Sequence, residues 1–322
     1  MQTRLRDSAR SQAPCRRVLA AALSMAMAAG LASCSAPRYA GRAESEQRMS
    51  PCESAYSTAT EVMSTLHADG WQPLGARYAA ALTAQDQWID VAAECTDRFD
   101  EGTIRAAQSR HLFRSIAGRL GIETGGGETT LSDVSALSGT DVLDIAGTVL
   151  DGMALAEDRA GFSAEILTAR GASGASLALS NGHKTTGERL ISLAGTKPAD
   201  DPRQKVYEVG ALLANPTTAT DPANGLRAST LAVIEANCAR EELAAVSGET
   251  GQTGQTGTDE ASGTSGTSGD SGTGSGSSGD SASSDTATRT DALRTLARLI
   301  GSRLDLAFEA GYPATDHALF DD

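Results

Sequence analysis

Glu157, His183, Cys238 and Glu241 are the side chains through which this 322-residue chain could do chemistry. Each falls on an apolar seam, stepped in threes and fours, of a helix predicted from hydrophobic periodicity. A carboxylate, an imidazole and a thiolate drawn together suit zinc or iron. The same residues have plainer uses. A seam glutamate serves at the end of a bundle, a single histidine serves as a hydrogen-bonded core residue, and cysteine is a small apolar filler. Those uses outweigh the metal, so the sequence implies neither a metal nor an organic cofactor. Asp86, Asp90 and Glu94 form an i, i+4, i+8 row, and Asp144, Asp151, Asp158 and Glu165 repeat every seven residues. Both read as solvated acidic faces rather than cation sites. His67, His111 and His317 stand apart on helix ends or tails and read as solvated imidazoles. No Gly-x-Ser-x-Gly, phosphate-cradling loop or dinucleotide fingerprint occurs, and no serine, histidine and aspartate nominate a triad.

The elements that must position these residues are predicted to be helices throughout. Ser50-Pro51-Cys52-Glu53 is a capping box with proline at the first helical position. A seam of Cys52, Ala55, Ala59, Val62 and Leu66 follows, broken by Gly70 and Pro73. A second seam runs Leu74, Tyr78, Ala81, Gln85, Trp88, Ala92, Cys95, Phe99, with Trp88 read as core. A third helix carries Ile104 to Leu120. Residues 121–140, with Gly125-Gly126-Gly127, read as a linker. Helical pattern resumes from Asp141 to Arg170, then from Ser176 to Leu193. A long connection punctuated by Pro198, Pro202, Pro216 and Pro222 contains a short helical candidate, Val206 to Leu213. Helices at Leu226–Val246 and Ala292–Ala310 complete the set, and no convincing strand is present. Residues 248–287 are nearly all Gly, Ser, Thr, Asp, Gln and Glu, which predicts a flexible low-complexity insertion. The fold class is therefore all-α: a helical hairpin plus a helix over 50–120, then a four-helix bundle over 141–315 interrupted at 248–287.

The N-terminus carries Arg4, Arg6, Arg10, Arg16 and Arg17, then a short alanine-rich apolar stretch from Val18 to Ala32, then Leu31-Ala32-Ser33-Cys34. The stretch is too short and too weakly apolar to be a stable span. This arrangement resembles a bacterial lipoprotein signal peptide with its lipobox. The resemblance implies removal of residues 1–33, diacylglycerol on Cys34, and a polar tether over 34–49. Two acyl chains anchor firmly where one is marginal. The implied place is the extracytoplasmic face of the cell membrane, with the membrane itself and an unidentified envelope protein as partners. Loss of the leader's five arginines and Asp7 deepens the net charge from −14 to −18. So acidic a body argues against nucleic acid and against binding an anionic membrane by charge.

With Cys15 in the leader and Cys34 lipidated, Cys52, Cys95 and Cys238 remain in an oxidising compartment. Three thiols allow at most one internal bridge. In an antiparallel hairpin Cys52 and Cys95 each lie roughly 25 Å from the turn, at 1.5 Å per residue, so they are the predicted pair.

Three stretches carry a further resemblance: Leu155-Ala156-Glu157-Asp158-Arg159-Ala160, Gly182-His183-Lys184 with Glu188-Arg189-Leu190, and Val233-Ile234-Glu235-Ala236-Asn237-Cys238-Ala239. With the order of helices around a proline-bearing crossover, residues 141–315 resemble actinobacterial ferritin-like lipoprotein domains of unknown function. The resemblance implies a ferritin-like bundle. Ferritin-like enzymes hold two metals with a glutamate from each of two helices and Glu-x-x-His from each of the other two. This chain has no Glu-x-x-His, and Glu235-x-x-Cys238 is its nearest echo of that paired motif. Three function classes stand at this point. The first is a non-enzymatic helical interaction or scaffold module, the second a degenerate ferritin-like metal or redox protein using Glu157, His183 and Cys238, and the third a solute-binding lipoprotein.

Overall fold

The computed structural model describes residues 49–67, 72–124, 137–255 and 279–320. Cys34, the leader and the tether lie outside the described residues. Among the described residues the protein is all-α apart from one short ribbon. Helix α1 spans Pro51–His67, α2 Leu74–Glu94 and α3 Phe99–Leu120, with a 3-10 turn at Thr96–Arg98 between α2 and α3. Helix α4 spans Gly147–Ala169 and α5 Leu177–Ala194. The crossover holds α6, Gly210–Ala214, and an antiparallel ribbon of β1, Thr218–Thr220, and β2, Arg227–Ser229. Helix α7 spans Thr230–Gln255, α8 Gly279–Glu309 and α9 Asp316–Leu319.

Local chemistry sets these boundaries. At α1, the Ser50 backbone N–H donates to Glu53 Oε2 at 2.8 Å and the Glu53 N–H donates to Ser50 Oγ at 3.2 Å. That is the reciprocal capping box. Ser176 caps α5 by accepting from the Leu179 N–H at 3.1 Å, and Gly195, at φ +69°, ends it in the left-handed conformation that glycine adopts freely. Cys52 and Cys95 are joined by a disulfide that ties the start of α1 to the end of α2.

Helix α8 is the shared wall of the fold. It packs against α7 on one side and against α2 and α3 on the other, while α4 packs on both α5 and α7. One apolar cluster runs from Ala59 in α1 to Ala318 in α9. Residues 50–120 and 141–315 both belong to one unit from Ser50 onward. Ion pairs reinforce the junction: Arg294 of α8 reaches Asp90 at 3.1 Å and Glu94 at 3.6 Å, and Arg110 of α3 reaches Asp305 of α8 at 3.0 Å.

Several boundaries depart from the periodicity. Residues 141–146 are not helical. Leu143 and Ile145 face the core while Val142, Asp144 and Ala146 stay exposed, which is the period of an extended segment. Of Val206–Leu213 only the second half is helical, where Glu208 Oε1 accepts the first N–H of α6, from Gly210, at 2.5 Å. The ribbon is real despite the lack of a strand pattern. Its turn is shaped by the Asp221 N–H donating to Leu226 O at 2.7 Å. Helices α7 and α8 run into the low-complexity insertion from both ends, to Gln255 and from Gly279. Arg289 reaches Glu249 across that extension at 3.1 Å, so each helix supports the other. Residues 256–278 lie outside the described residues.

The acidic rows are also not bare solvent faces. Asp151 accepts from Thr196 Oγ1 at 2.5 Å, Asp158 from the Tyr207 hydroxyl at 2.7 Å, and Glu165 pairs with Lys184. His111 is half-buried, edge-on to Phe308 at 5.5 Å, and burial beside Arg114 pushes its pKa down.

Candidate metal centre

Two glycines bring α4 and α5 into close contact. A Cβ on Gly161 would stand 2.9 Å from Ser180 O and 3.0 Å from His183 Cβ. One on Gly187 would stand 3.1 Å from Ala154 O and 3.5 Å from Glu157 Cβ. Only because both are glycine do the two backbones approach closely enough for Glu157 and His183 to meet.

The Glu157 and His183 side chains are 0% exposed. His183 Nδ1 lies 2.6 Å from Glu157 Oε2, and Nε2 lies 3.0 Å from Glu235 Oε1 of α7. A neutral imidazole would turn a lone pair on one of those carboxylates, whereas imidazolium donates to both. Burial pushes the His183 pKa down, but the Glu235 and Glu157 carboxylates more than offset burial and Arg303, lifting it to about 9. Arg303 of α8 is also buried. Its Nε donates to Glu157 Oε1 at 2.8 Å, and its Nη2 lies 2.7 Å from the same oxygen and donates to Thr186 Oγ1 at 3.2 Å. Burial alone would raise the Glu157 pKa, but Arg303 and His183 together hold it below the usual carboxylate range.

Cys238 completes the cluster. It is a free, buried thiol whose pKa is pushed well up by burial and by the Glu157 and Glu242 carboxylates. One donor atom each from Glu157, His183 and Cys238 lie within 4.8 Å of one another. Glu235, Cys238 and Glu242 occupy positions i, i+3 and i+7 of α7 and all three are buried. Glu235 Oε2 is buried without a hydrogen-bond partner among the described residues. The buried centre thus sets three carboxylates beside a charged His183 and Arg303, the one buried arginine or lysine among the described residues.

Glu241 does not belong to it. It is 45% exposed and pairs with Arg159 at 2.6 Å. At about 100° per residue it lies roughly 120° around α7 from Glu235. The buried face of α7 is centred near Glu235, Ala239, Glu242 and Val246, so the seam through Ile234, Cys238 and Glu241 is turned off its true direction. Cys238 sits at the edge of that face, in contact with both the cluster and a surface groove. Arg303 was missed, although its signal was present: Leu296, Ile300, Arg303 and Ala307 form one apolar seam with a charge in it.

No protein-family model matches the chain, and neither a curated protein nor a solved structure matches it. Among the described residues no helix is long and apolar enough to cross a membrane.

Proposed function

We propose that this chain is a lipid-anchored, extracytoplasmic helical protein that holds one divalent ion of the zinc or ferrous kind between α4, α5 and α7. The observation that carries the reading is the convergence of Glu157, His183 and Cys238 within 4.8 Å. Around a tetrahedral ion with bonds near 2.0–2.3 Å, donor atoms stand roughly 3.3–3.8 Å apart, so the widest separation closes by about 1 Å while the 2.6 Å His183–Glu157 contact opens. Oxygen, nitrogen and sulfur in one set select a borderline ion over magnesium or calcium. In the loaded state Glu157, His183 and Cys238 hold the ion. Glu235 would accept a hydrogen bond from the Nε2–H and so fix the ring, the carboxylate–histidine pairing common at metal sites. Arg303 keeps the second oxygen of Glu157. A divalent ion would displace one His183 proton and the Cys238 thiol proton to solvent, so the charge of the centre stays the same on loading. A pair of ions does not fit: the Arg303 guanidinium stands against Glu157 where the second would lie, and no Glu-x-x-His supplies its ligands. The anchoring rests on Leu31-Ala32-Ser33-Cys34, and the membrane and an envelope protein stay its proposed partners.

A second reading has its own observation. Arg303 and a charged His183 already answer Glu157 and Glu235, so the centre also works as a metal-free ionic core in an interaction module. Elemental analysis of the mature chain, gently purified from membranes, separates the two. Near-stoichiometric zinc, iron or manganese that is lost in Cys238→Ser and His183→Gln supports the metal reading. A folded, metal-free chain whose melting temperature does not move with added zinc or cobalt supports the ionic core. Release of a Cys34→Ala variant into the medium tests the anchor.

A further inference from the structure

Resting on the metal reading, we infer that the ion reaches the centre sideways, through the groove between α4 and α7 that has Cys238 at its floor and the Arg159–Glu241 ion pair across its mouth. The groove is a cavity of about 160 Å3 lined by residues of these two helices only, among them Arg159, Ala160, Asn237, Cys238 and Glu241. Water occupies about 30 Å3 per molecule, so the groove takes an ion with part of its hydration shell. Its wall is low because α4 presents Ala156 and Ala160 there, packed directly on Cys238. Cys238 is 4% exposed, whereas Glu157 and His183 are 0% and Glu235 1%. The thiol is thus the member of the set that borders the outside.

Glu241 is then the carboxylate that receives a cation at the surface, and Arg159 is the charge that guards it. Both are half exposed, at 45% and 43%. Arg159 also stands over the Tyr207 ring at 5.9 Å while it pairs with Glu241. That ring is held by its hydroxyl, which donates to Asp158 at 2.7 Å. Arg159 can leave Glu241 without losing its contact to the aromatic face.

The test is stopped-flow loading of the mature chain with cobalt(II), followed by the thiolate-to-cobalt charge-transfer absorbance that reports Cys238. Arg159→Gln should load faster and Glu241→Gln slower, each by roughly three- to tenfold at low ionic strength, and the difference should collapse near 1 M salt where the Debye length is about 3 Å. Equilibrium affinity should stay within about twofold, because neither residue is a ligand. As a readout that needs no metal, a neutral methanethiosulfonate should label Cys238 faster in the Arg159→Ala/Glu241→Ala pair than in the wild type. Normal cobalt absorbance with loading rates indifferent to both variants overturns the sideways path and leaves the metal site standing. Absence of the absorbance in the wild type overturns both. Thiol labelling that follows global unfolding equally in every variant also overturns the path.

Discussion

Replacing Arg303 with methionine probes the polar core most directly. The substitution keeps much of the buried volume and removes the guanidinium that makes the 2.8 and 2.7 Å contacts to Glu157 Oε1 and the 3.2 Å hydrogen bond to Thr186. Glu157 is then left in the core with His183 alone, beside Glu235 and Glu242. Removing one partner of a buried ion pair costs about 3–5 kcal/mol, because the abandoned charge has no water to turn to. For a domain of this size that lowers the melting temperature by roughly 10 °C. The double change Arg303→Met/Glu157→Gln removes both charges and should recover about 2–3 kcal/mol of the loss, leaving a coupling energy of that size. The assay is urea unfolding followed by helical circular dichroism at neutral pH, with chelator present so that no metal contributes. A single-variant cost below about 1 kcal/mol, or a double variant equal to the sum of the singles, would refute the assignment of Arg303 as the counter-charge of Glu157.

Three further outcomes follow from the packing. Opening the Cys52–Cys95 bridge with a Cys52→Ser/Cys95→Ser pair frees a loop with a sequence separation of 43. That should cost about 4 kcal/mol in reversible unfolding, and a change under 1 kcal/mol would count against the bridge. Gly161→Ala places a methyl 2.9 Å from Ser180 O and 3.0 Å from His183 Cβ, so it should cost about 1–3 kcal/mol and weaken cobalt binding in parallel. An alanine variant as stable as the wild type would show that α4 and α5 have room to spare. Burial lifts Asp305 to about 6 despite Arg114 and Arg110. Its folded pKa is above the unfolded value near 3.9, so its contribution is full below about pH 4 and is lost as pH rises through 6. The stability of the wild type relative to Asp305→Asn should therefore fall by about 2 kcal/mol between pH 4 and 7. A difference that stays flat or rises over that range contradicts the assignment.

The helices were legible wherever a cap or a long seam marked them. Ser50 and Glu53 announced α1, and the seams of α1 and α2 turned Cys52 and Cys95 toward each other. What stayed hidden was decided by tertiary contact. Leu143 and Ile145 suit a helix in isolation, but as neighbours of the α4–α5 pair they take the extended period. The crossover ribbon has too few residues to show alternation. Glu157, His183 and Cys238 were readable as seam positions because a polar residue on an apolar stripe stands out. Glu241 looked equivalent, and the difference is a rotation of α7 that a seam of three residues does not resolve. Arg303 lay on a seam as clear as any, yet its partner could be named only once α8 was seen beside α4 and α5.

The Cys52–Cys95 bond also decides how the fold bears load. Tension applied to the chain ahead of Ser50 arrives at the first turn of α1, where Cys52 is the second residue. The covalent link passes the pull directly to Cys95, at the foot of α2, so the hairpin between them carries none of it. Under oxidising conditions the first rupture must then occur beyond Cys95, where α3 is locked to α8 through Arg110, Arg114 and Asp305. Under reducing conditions α1 peels away first. The hairpin is a rigid handle in one environment and a frayed end in the other.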